Sequence, residues 1–225
     1  MDPTTPRILT DDLLLLAYRP DTGRACTDVN RLQCGLAGAV IAEAVLAGRI
    51  ALDGGGHLRT TGAARTGDPD VDGVVDRIAA EPRPRKVKWW VQRLNRRQLR
   101  ERLRGRAVSF GVLDHEPGRA LWIFVTDTYR PQQPERDRAV WALRSVLLGH
   151  DAPDPRSAAL LALVGAAQLD GKLFGDIPRG DRRKRITAVT DRDEIGRAVR
   201  EVIQSIETAV VAAAVAAGGA GDGGG

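Results

Sequence analysis

Cysteine is scarce in this 225-residue chain, which contains only Cys26 and Cys34. Two cysteines eight residues apart match no zinc-binding pattern and cannot form a disulfide framework. Such sparse use is typical of proteins kept in a reducing compartment. The N-terminal residues also lack the basic and apolar segments of a secretory signal. We therefore expect a cytoplasmic protein.

Aromatic residues make up only 4% of the chain, and no apolar run approaches the ~20 residues of a membrane-spanning helix. The core must then consist mainly of Leu, Ala, Val and Ile, a composition that favours helices over a β-sandwich. A chain of this length fits one domain. The sequence predicts a mainly α fold, a single globular helical domain with two small β-hairpins.

Recognisable catalytic motifs are also missing. The chain has no glycine-rich phosphate loop before a helix, and it has no G-x-S-x-G, H-E-x-x-H or C-x-x-C motif. His57, His115 and His150 are scattered over predicted turns. Nothing in the sequence indicates an enzyme or a cofactor.

One segment partly matches a metal-binding motif. Asp68, Asp70 and Asp72 have the spacing of the first half of a calcium loop, but Ala79 occupies the position that needs a bidentate glutamate. The same acidic residues are typical of a helix N-terminus. We predict a helix start here and no metal site.

What the chain does have is a strongly basic stretch at residues 83–106. It holds eleven of the 34 Lys and Arg residues and one acid, Glu101, so its net charge is +10 while the rest of the chain sums to −5. Solvated helix faces usually mix charges of both signs, so a block of one sign indicates an anionic partner.

Apolar residues within the basic stretch recur at helical spacing and predict either one long helix or two short ones. If one helix continues from Arg93, then Arg93, Arg97, Arg100 and Arg104 lie within roughly 40° of one line at 100° per residue. Arg96 lies near this ridge and would support it. The pattern predicts a row of arginines on a packed helix.

The remaining segments predict the following elements. Thr10 caps a first helix; an apolar helix spans residues 29–47, and its Glu43 needs a partner. Further helices span 68–80, 136–148 and 155–169, and the last begins near Asp191. Hairpins pair residues 49–52 with 57–61 and 110–113 with 120–126, the second through a turn at 116–118. Residues 131–134 form a linker and residues 179–185 a charged loop.

The predicted divisions of the chain are a leader at 1–8, a domain at 9–206 and a flexible Ala/Gly-rich tail at 207–225.

Several segments taken together resemble the Golgi phosphoprotein 3 family, in particular its bacterial, actinobacterial-type members. The residues that carry this resemblance are Leu9-Thr10-Asp11-Asp12-Leu13-Leu14-Leu15-Leu16, Gly38 through Glu43 to Gly48-Arg49-Ile50, Thr66-Gly67-Asp68, Arg100-Glu101-Arg102-Leu103, Gly111-Val112-Leu113 and Leu160-Leu161-Ala162-Leu163. The resemblance implies a non-enzymatic peripheral membrane protein that binds phosphatidylinositol 4-phosphate and contacts the cytoplasmic tails of membrane proteins. It also implies a helical domain with a protruding hairpin, which falls at residues 112–124.

The resemblance also implies a headgroup site. In the family, a Trp and an Arg around the central helix face two Arg that lie three residues apart on the basic helix. The Arg pair matches Arg97 and Arg100, whereas the other two positions are Asp28 and Ala37 here. We expect anionic lipid binding through Arg97 and Arg100, with Arg93, Arg96 and Arg104 as a supporting basic face.

Two other functions fit the basic stretch. Two helix-plus-hairpin units with a basic helix are typical of winged-helix nucleic-acid-binding proteins, in which the arginines would contact phosphates. Alternatively, the basic face could bind an acidic protein. The resemblance extends over almost the whole chain, so we expect a peripheral protein at the inner face of the membrane, with anionic lipid and not nucleic acid as its partner.

Overall fold

The computed structural model describes residues 7–118, 127–192 and 197–218. These contain ten helices and two two-stranded antiparallel sheets. The helices are α1 (Leu9–Ala17), α2 (Val29–Leu46), α3 (Pro69–Ala80), α4 (Val87–Leu94), α5 (Arg97–Ser109), α6 (Gln133–Leu148), α7 (Pro155–Ala166), α8 (Asp170–Leu173), α9 (Arg179–Thr190) and α10 (Arg197–Gly218). The strands are β1 (Ile50–Leu52), β2 (Leu58–Thr60), β3 (Leu113–Glu116) and β4 (Thr128–Pro131). This confirms the predicted mainly α fold with two small hairpins.

Helix α2 is the centre of the fold and packs against α10, α1 and α7. Small residues allow the close approach: a Cβ on Gly38 would lie 2.7 Å from the Cγ2 atom of Ile206 on α10. By its length and composition alone, α2 could cross a membrane. The sequence did not predict such a helix, because no unbroken apolar run in the chain is that long. Most of it is buried among the other helices, as in the core of a helical protein.

Two ion-pair networks, one partly buried and one buried, connect distant segments to this core. Glu43 of α2 accepts a hydrogen bond from the Leu9 amide at 2.6 Å and pairs with Arg156 at 3.1 Å, so the predicted partner for Glu43 is present. Arg106 of α5 pairs with Asp11 of α1 at 3.3 Å and with Asp68, the N-cap residue of α3. The Arg106 pairs therefore connect α5 to α1 and to the start of α3.

The aspartates that resemble a calcium loop are used within the fold. Asp68 accepts hydrogen bonds from the Asp70 and Val71 amides, both at 3.0 Å, and so caps α3. Asp70 pairs with Arg102, and Asp72 accepts from the Thr66 and Gly67 amides at 3.0 and 3.1 Å. The segment is a helix N-terminus, as predicted.

The first hairpin agrees with the sequence, with Ile50 opposite Thr60. The second differs, because α5 ends at Ser109 and Gly111 adopts a left-handed φ of 68°, which turns the chain before the strand begins. The strand therefore starts at Leu113 instead of residue 110. Glu116 pairs with Thr128, so the predicted turn at 116–118 is wrong. The predicted partner strand, residues 120–126, lies outside the described residues.

Three further boundaries were predicted incorrectly near the N-terminus and the linker. α1 begins at Leu9 after the N-cap residue Ile8, whose amide donates to Asp11 at 3.1 Å, so Thr10 lies inside the helix. Pro131 belongs to β4, opposite Leu113. Pro134 lies in the first turn of α6, where its missing N–H breaks no hydrogen bond.

The charged segment 179–185 is the start of helix α9 and not a loop. Arg182 is buried there, pairs with Asp170 at 2.9 Å and donates to the Ile177 carbonyl. The start of the last helix was also misplaced, since Asp191 is the C-cap residue of α9.

The predicted flexible tail is helical over much of its length. α10 extends to Gly218, and its Ala209, Val210 and Ala213 side chains are buried. Residues 207–218 are therefore part of the folded domain. The last seven residues, 219–225, lie outside the described part.

Candidate anion-binding surface

The basic stretch forms two helices, α4 and α5, separated at Asn95 and Arg96. Their buried residues explain the break. Leu94 ends the apolar stripe of α4, and Leu99 begins that of α5. In one continuous helix these two side chains would point about 140° apart at 100° per residue, so both could not reach the same core. The chain turns at Asn95 and brings both leucines inward.

The break also rules out a single arginine ridge. Arg93, Arg96 and Arg97 are exposed, and all three line an open groove of about 930 Å³ beside α3. Arg100 and Arg104 are mostly buried, with 13% and 15% of their side chains exposed, against 84% for Arg97. The five arginines singled out in the sequence therefore face two different environments.

Glu101 brings three of these arginines together. Its carboxylate lies 2.8 Å from Arg100, 3.1 Å from Arg104 and 4.0 Å from Arg97. Burial of Glu101 opposes ionisation, but the hydrogen bond from Arg100 and the charges of Arg104, Arg100 and Arg97 together hold its pKa below the usual range. We call Arg97, Arg100, Arg104 and Glu101 the arginine cluster; it carries a net charge of +2.

Two tyrosines hold the inner side of the arginine cluster. The Arg104 guanidinium lies 3.9 Å from the ring centroid of Tyr129 and 5.9 Å from that of Tyr18. The rings are 5.8 Å apart, and burial raises the pKa of both phenols although the charge of Arg104 lowers it. The tyrosines remain neutral and provide π-faces for the cation. Sequence analysis missed them, because they lie 111 positions apart and no local pattern joins them.

The other two positions of the family's headgroup site have structural roles here. Asp28 is the N-cap residue of α2: its side chain accepts from the Arg31 amide at 2.9 Å and pairs with the Arg31 guanidinium at 3.3 Å. Ala37 is fully buried in the core. Neither residue adds a cation or an aromatic face to the arginine cluster.

No group of three or more metal-ligating side chains occurs in the described residues. His57 contacts Asp53 at 3.1 Å on the first hairpin, and His115 stacks on Tyr129 with centroids 4.8 Å apart. The guanidinium groups of the arginine cluster can bind carboxylates and phosphates.

Comparison with known proteins agrees with the resemblance in the sequence. The family model described as Golgi phosphoprotein 3 (GPP34) matches residues 9–206, which is most of the chain. No curated protein matches the chain. The matched range includes the basic helix α5 and both hairpins. The chain belongs to the Golgi phosphoprotein 3 family.

Proposed function

We propose that this protein is a non-enzymatic peripheral membrane adaptor that binds anionic lipid at the cytoplasmic face of a membrane through α5. The observation that carries this proposal is the arginine cluster, in which three guanidinium groups share one carboxylate. Family membership supports a phosphatidylinositol 4-phosphate-type headgroup as the ligand and the cytoplasmic tails of membrane proteins as further partners.

The geometry of the arginine cluster suits an incoming anion. Glu101 already holds Arg100 and Arg104 in place, so these side chains lose little conformational entropy when a ligand binds. Arg97 is free to extend toward a membrane surface, because it reaches Glu101 only at 4.0 Å. Arg97 would therefore attract the anionic headgroup, and Arg100 and Arg104 would give it a contact of defined geometry.

Liposome sedimentation tests this function. Arg97→Ala combined with Arg100→Ala should weaken binding to anionic vesicles roughly 5- to 10-fold, since an exposed Arg near an anionic surface contributes about 1 kcal/mol and the mostly buried Arg100 contributes less. Added salt should weaken wild-type binding similarly, because the Debye length falls from about 10 Å at 0.1 M to about 3 Å at 1 M.

A matched control is Arg183→Ala with Lys184→Ala, which removes the same charge from exposed positions on α9. The control should bind within about two-fold of wild type, because α9 packs against α6 and α7 and its two cations lie outside the arginine cluster. Equal sedimentation of wild type and the α5 variant would refute the proposal. A DNA gel shift on the same preparation tests the winged-helix alternative: strong, salt-sensitive binding to DNA without vesicle binding would favour it.

A further inference from the structure

A cleft between α9 and α10 lies apart from the basic helices α4 and α5. Helix α9 packs mainly against α7 and α6 and much less against α10, so the two helices leave a space of about 410 Å³ between them. The start of α2 and the end of α7 also contribute to its lining. We call this cleft the α9–α10 groove; its two walls are Arg179, Arg183 and Ile186 of α9 and Glu207, Val211 and Val215 of α10.

The α10 wall of the groove carries exposed apolar side chains. Val211 and Val215 lie about one helical turn apart and are 47% and 65% exposed. Among the side chains that the structure describes, the only other exposed large apolar ones are Val29 and Trp141. Ile186 is buried beneath the same groove. Neighbouring exposed apolar side chains around one cleft are typical of a surface that a partner covers.

The α9 wall carries cations without partners in the protein. Arg179 and Arg183 are both exposed, and within residues 7–118, 127–192 and 197–218 neither has an ion-pair partner. Since four residues of an α-helix rise about 6 Å, the two guanidinium groups form a short row along the groove. Arg182 of the same helix is instead buried and paired with Asp170 at 2.9 Å. Arg179 and Arg183 are therefore available to carboxylates of a binding partner.

A carboxyl group on α10 makes the groove mixed in charge. Glu207 lies one turn before Val211 and has no hydrogen bond or ion pair in the described part of the chain. Burial raises its pKa, and the charge of Arg183 lowers it only in part. When ionised, Glu207 would repel a uniformly anionic surface such as a nucleic-acid backbone. A polypeptide can instead place a different side chain opposite each group.

From these observations we infer that the α9–α10 groove is a docking site for an acidic amphipathic helix of a partner protein. Residues four apart lie on one face of a helix, so apolar residues at this spacing can cover Val211 and Val215. Acidic residues at the same spacing on the adjacent face can pair with Arg179 and Arg183. A basic residue of the partner can pair with Glu207. The groove shares no residue with the arginine cluster, so this inference does not depend on the proposed membrane function.

A peptide selection on the full chain tests the docking. A displayed library of helices of about 16 residues is selected against the wild-type protein, and the affinities of the enriched peptides are measured by fluorescence anisotropy. The enriched peptides should combine acidic and apolar residues, each at four-residue spacing. Arg179→Glu with Arg183→Glu should weaken their binding roughly ten-fold, and Val211→Gln with Val215→Gln roughly five-fold.

The matched control reverses the same charge elsewhere on α9. Lys184→Glu with Arg185→Glu changes two exposed residues that do not line the groove, and it should bind the peptides within about two-fold of wild type. A charge swap then separates lost docking from lost folding. Peptides whose two acids are replaced by lysine should bind the Arg179/Arg183 variant at least about five-fold more tightly than they bind wild type.

Two results would overturn the inference from the peptide measurements. One is a selection that enriches no acidic amphipathic sequence, and the other is peptide binding that the control weakens as much as the groove variants do. Vesicle sedimentation provides a second readout, in which the Val211/Val215 variant should behave like wild type. A loss as large as that of the α5 variant would make the groove part of the membrane surface and overturn the docking. Peptide docking without any vesicle binding supports the groove and refutes the membrane function.

Discussion

Arg106 provides the sharpest test of how the basic helix is held. Its side chain is 8% exposed and lies between Asp11 and Asp68, whose side chains are 1% and 6% exposed. Arg106→Leu would leave two buried carboxylates without their cation. Removing one partner of a buried ion pair costs about 3–5 kcal/mol.

The retained hydrogen bonds place the expected cost at the low end of that range. Asp11 keeps the Ile8 amide at 3.1 Å, and Asp68 keeps two backbone donors at 3.0 Å. Leucine also preserves apolar contact with Phe110, over which the guanidinium now lies at 4.7 Å. We expect a loss of about 3 kcal/mol in the free energy of unfolding. For a chain of this size the melting temperature should fall by roughly 6–12 °C.

The loss should depend on pH in a defined direction. Burial raises the pKa of Asp11, and the charge of Arg106 lowers it in part. Without Arg106 the folded-state pKa of Asp11 rises further. A carboxyl whose folded-state pKa is raised lowers the stability progressively as the pH rises from its unfolded-state pKa to its folded-state pKa; the penalty is complete above the folded-state value and absent below the unfolded-state one. The difference between wild type and variant should therefore be largest at neutral pH and shrink as the pH falls through the raised pKa of Asp11.

Urea denaturation followed by circular dichroism measures both effects. Arg185→Leu on α9, an exposed arginine, is the control and should stay within about 0.5 kcal/mol of wild type. Adding Asp11→Asn and Asp68→Asn to Arg106→Leu should recover most of the loss, because neutral amides need no cation. A loss below about 1 kcal/mol at neutral pH, or one that does not change with pH, would refute this explanation of the buried network.

Two further predictions concern the packing of α2 against α10. Gly38→Ala should lower the free energy of unfolding by about 1–3 kcal/mol, because the new Cβ would lie 2.7 Å from Ile206. The control is Gly105→Ala on α5, where no atom lies within 4 Å of the new Cβ position, and it should raise the free energy of unfolding by about 0.5–1 kcal/mol. Equal effects at the two sites would contradict a close contact between α2 and α10 at Gly38. Ending the chain at Ile206 should lower the free energy of unfolding by at least about 2 kcal/mol, because Val210 and two alanines lose their burial. Removing only residues 219–225 should leave the melting temperature within error. An unchanged melting temperature after the longer deletion would show that the end of α10 does not stabilise the domain.

The sequence alone determined the helical class and much of the site's composition. Low aromatic content and helical spacing of apolar residues predicted the core helices, because side-chain burial follows the 3.6-residue period. Charge counting located the basic stretch, helical spacing aligned Arg97, Arg100 and Arg104, and the family resemblance singled out Arg97 and Arg100 as a headgroup pair. The first hairpin was also predictable, since its turn contains three consecutive glycines that favour a tight reversal.

Tertiary contacts decided the elements whose sequence pattern was weak or ambiguous. α9 has few apolar residues and is stabilised by contacts that its own sequence does not show, such as the pair between Arg182 and Asp170. The Ala- and Gly-rich end of α10 is helical because Gly38 lets it pack closely against α2. In both cases burial against a distant segment outweighs local propensity.

The orientation of the arginines was likewise beyond the sequence. Arg104 faces inward onto Tyr18 and Tyr129, and these two rings meet only when the chain is folded. The break at Asn95 then separates Arg93 and Arg96 from the arginine cluster and places them beside two indoles. A linear pattern fixes the charge of such a surface, but only the packing of distant segments decides which charges stay unpaired.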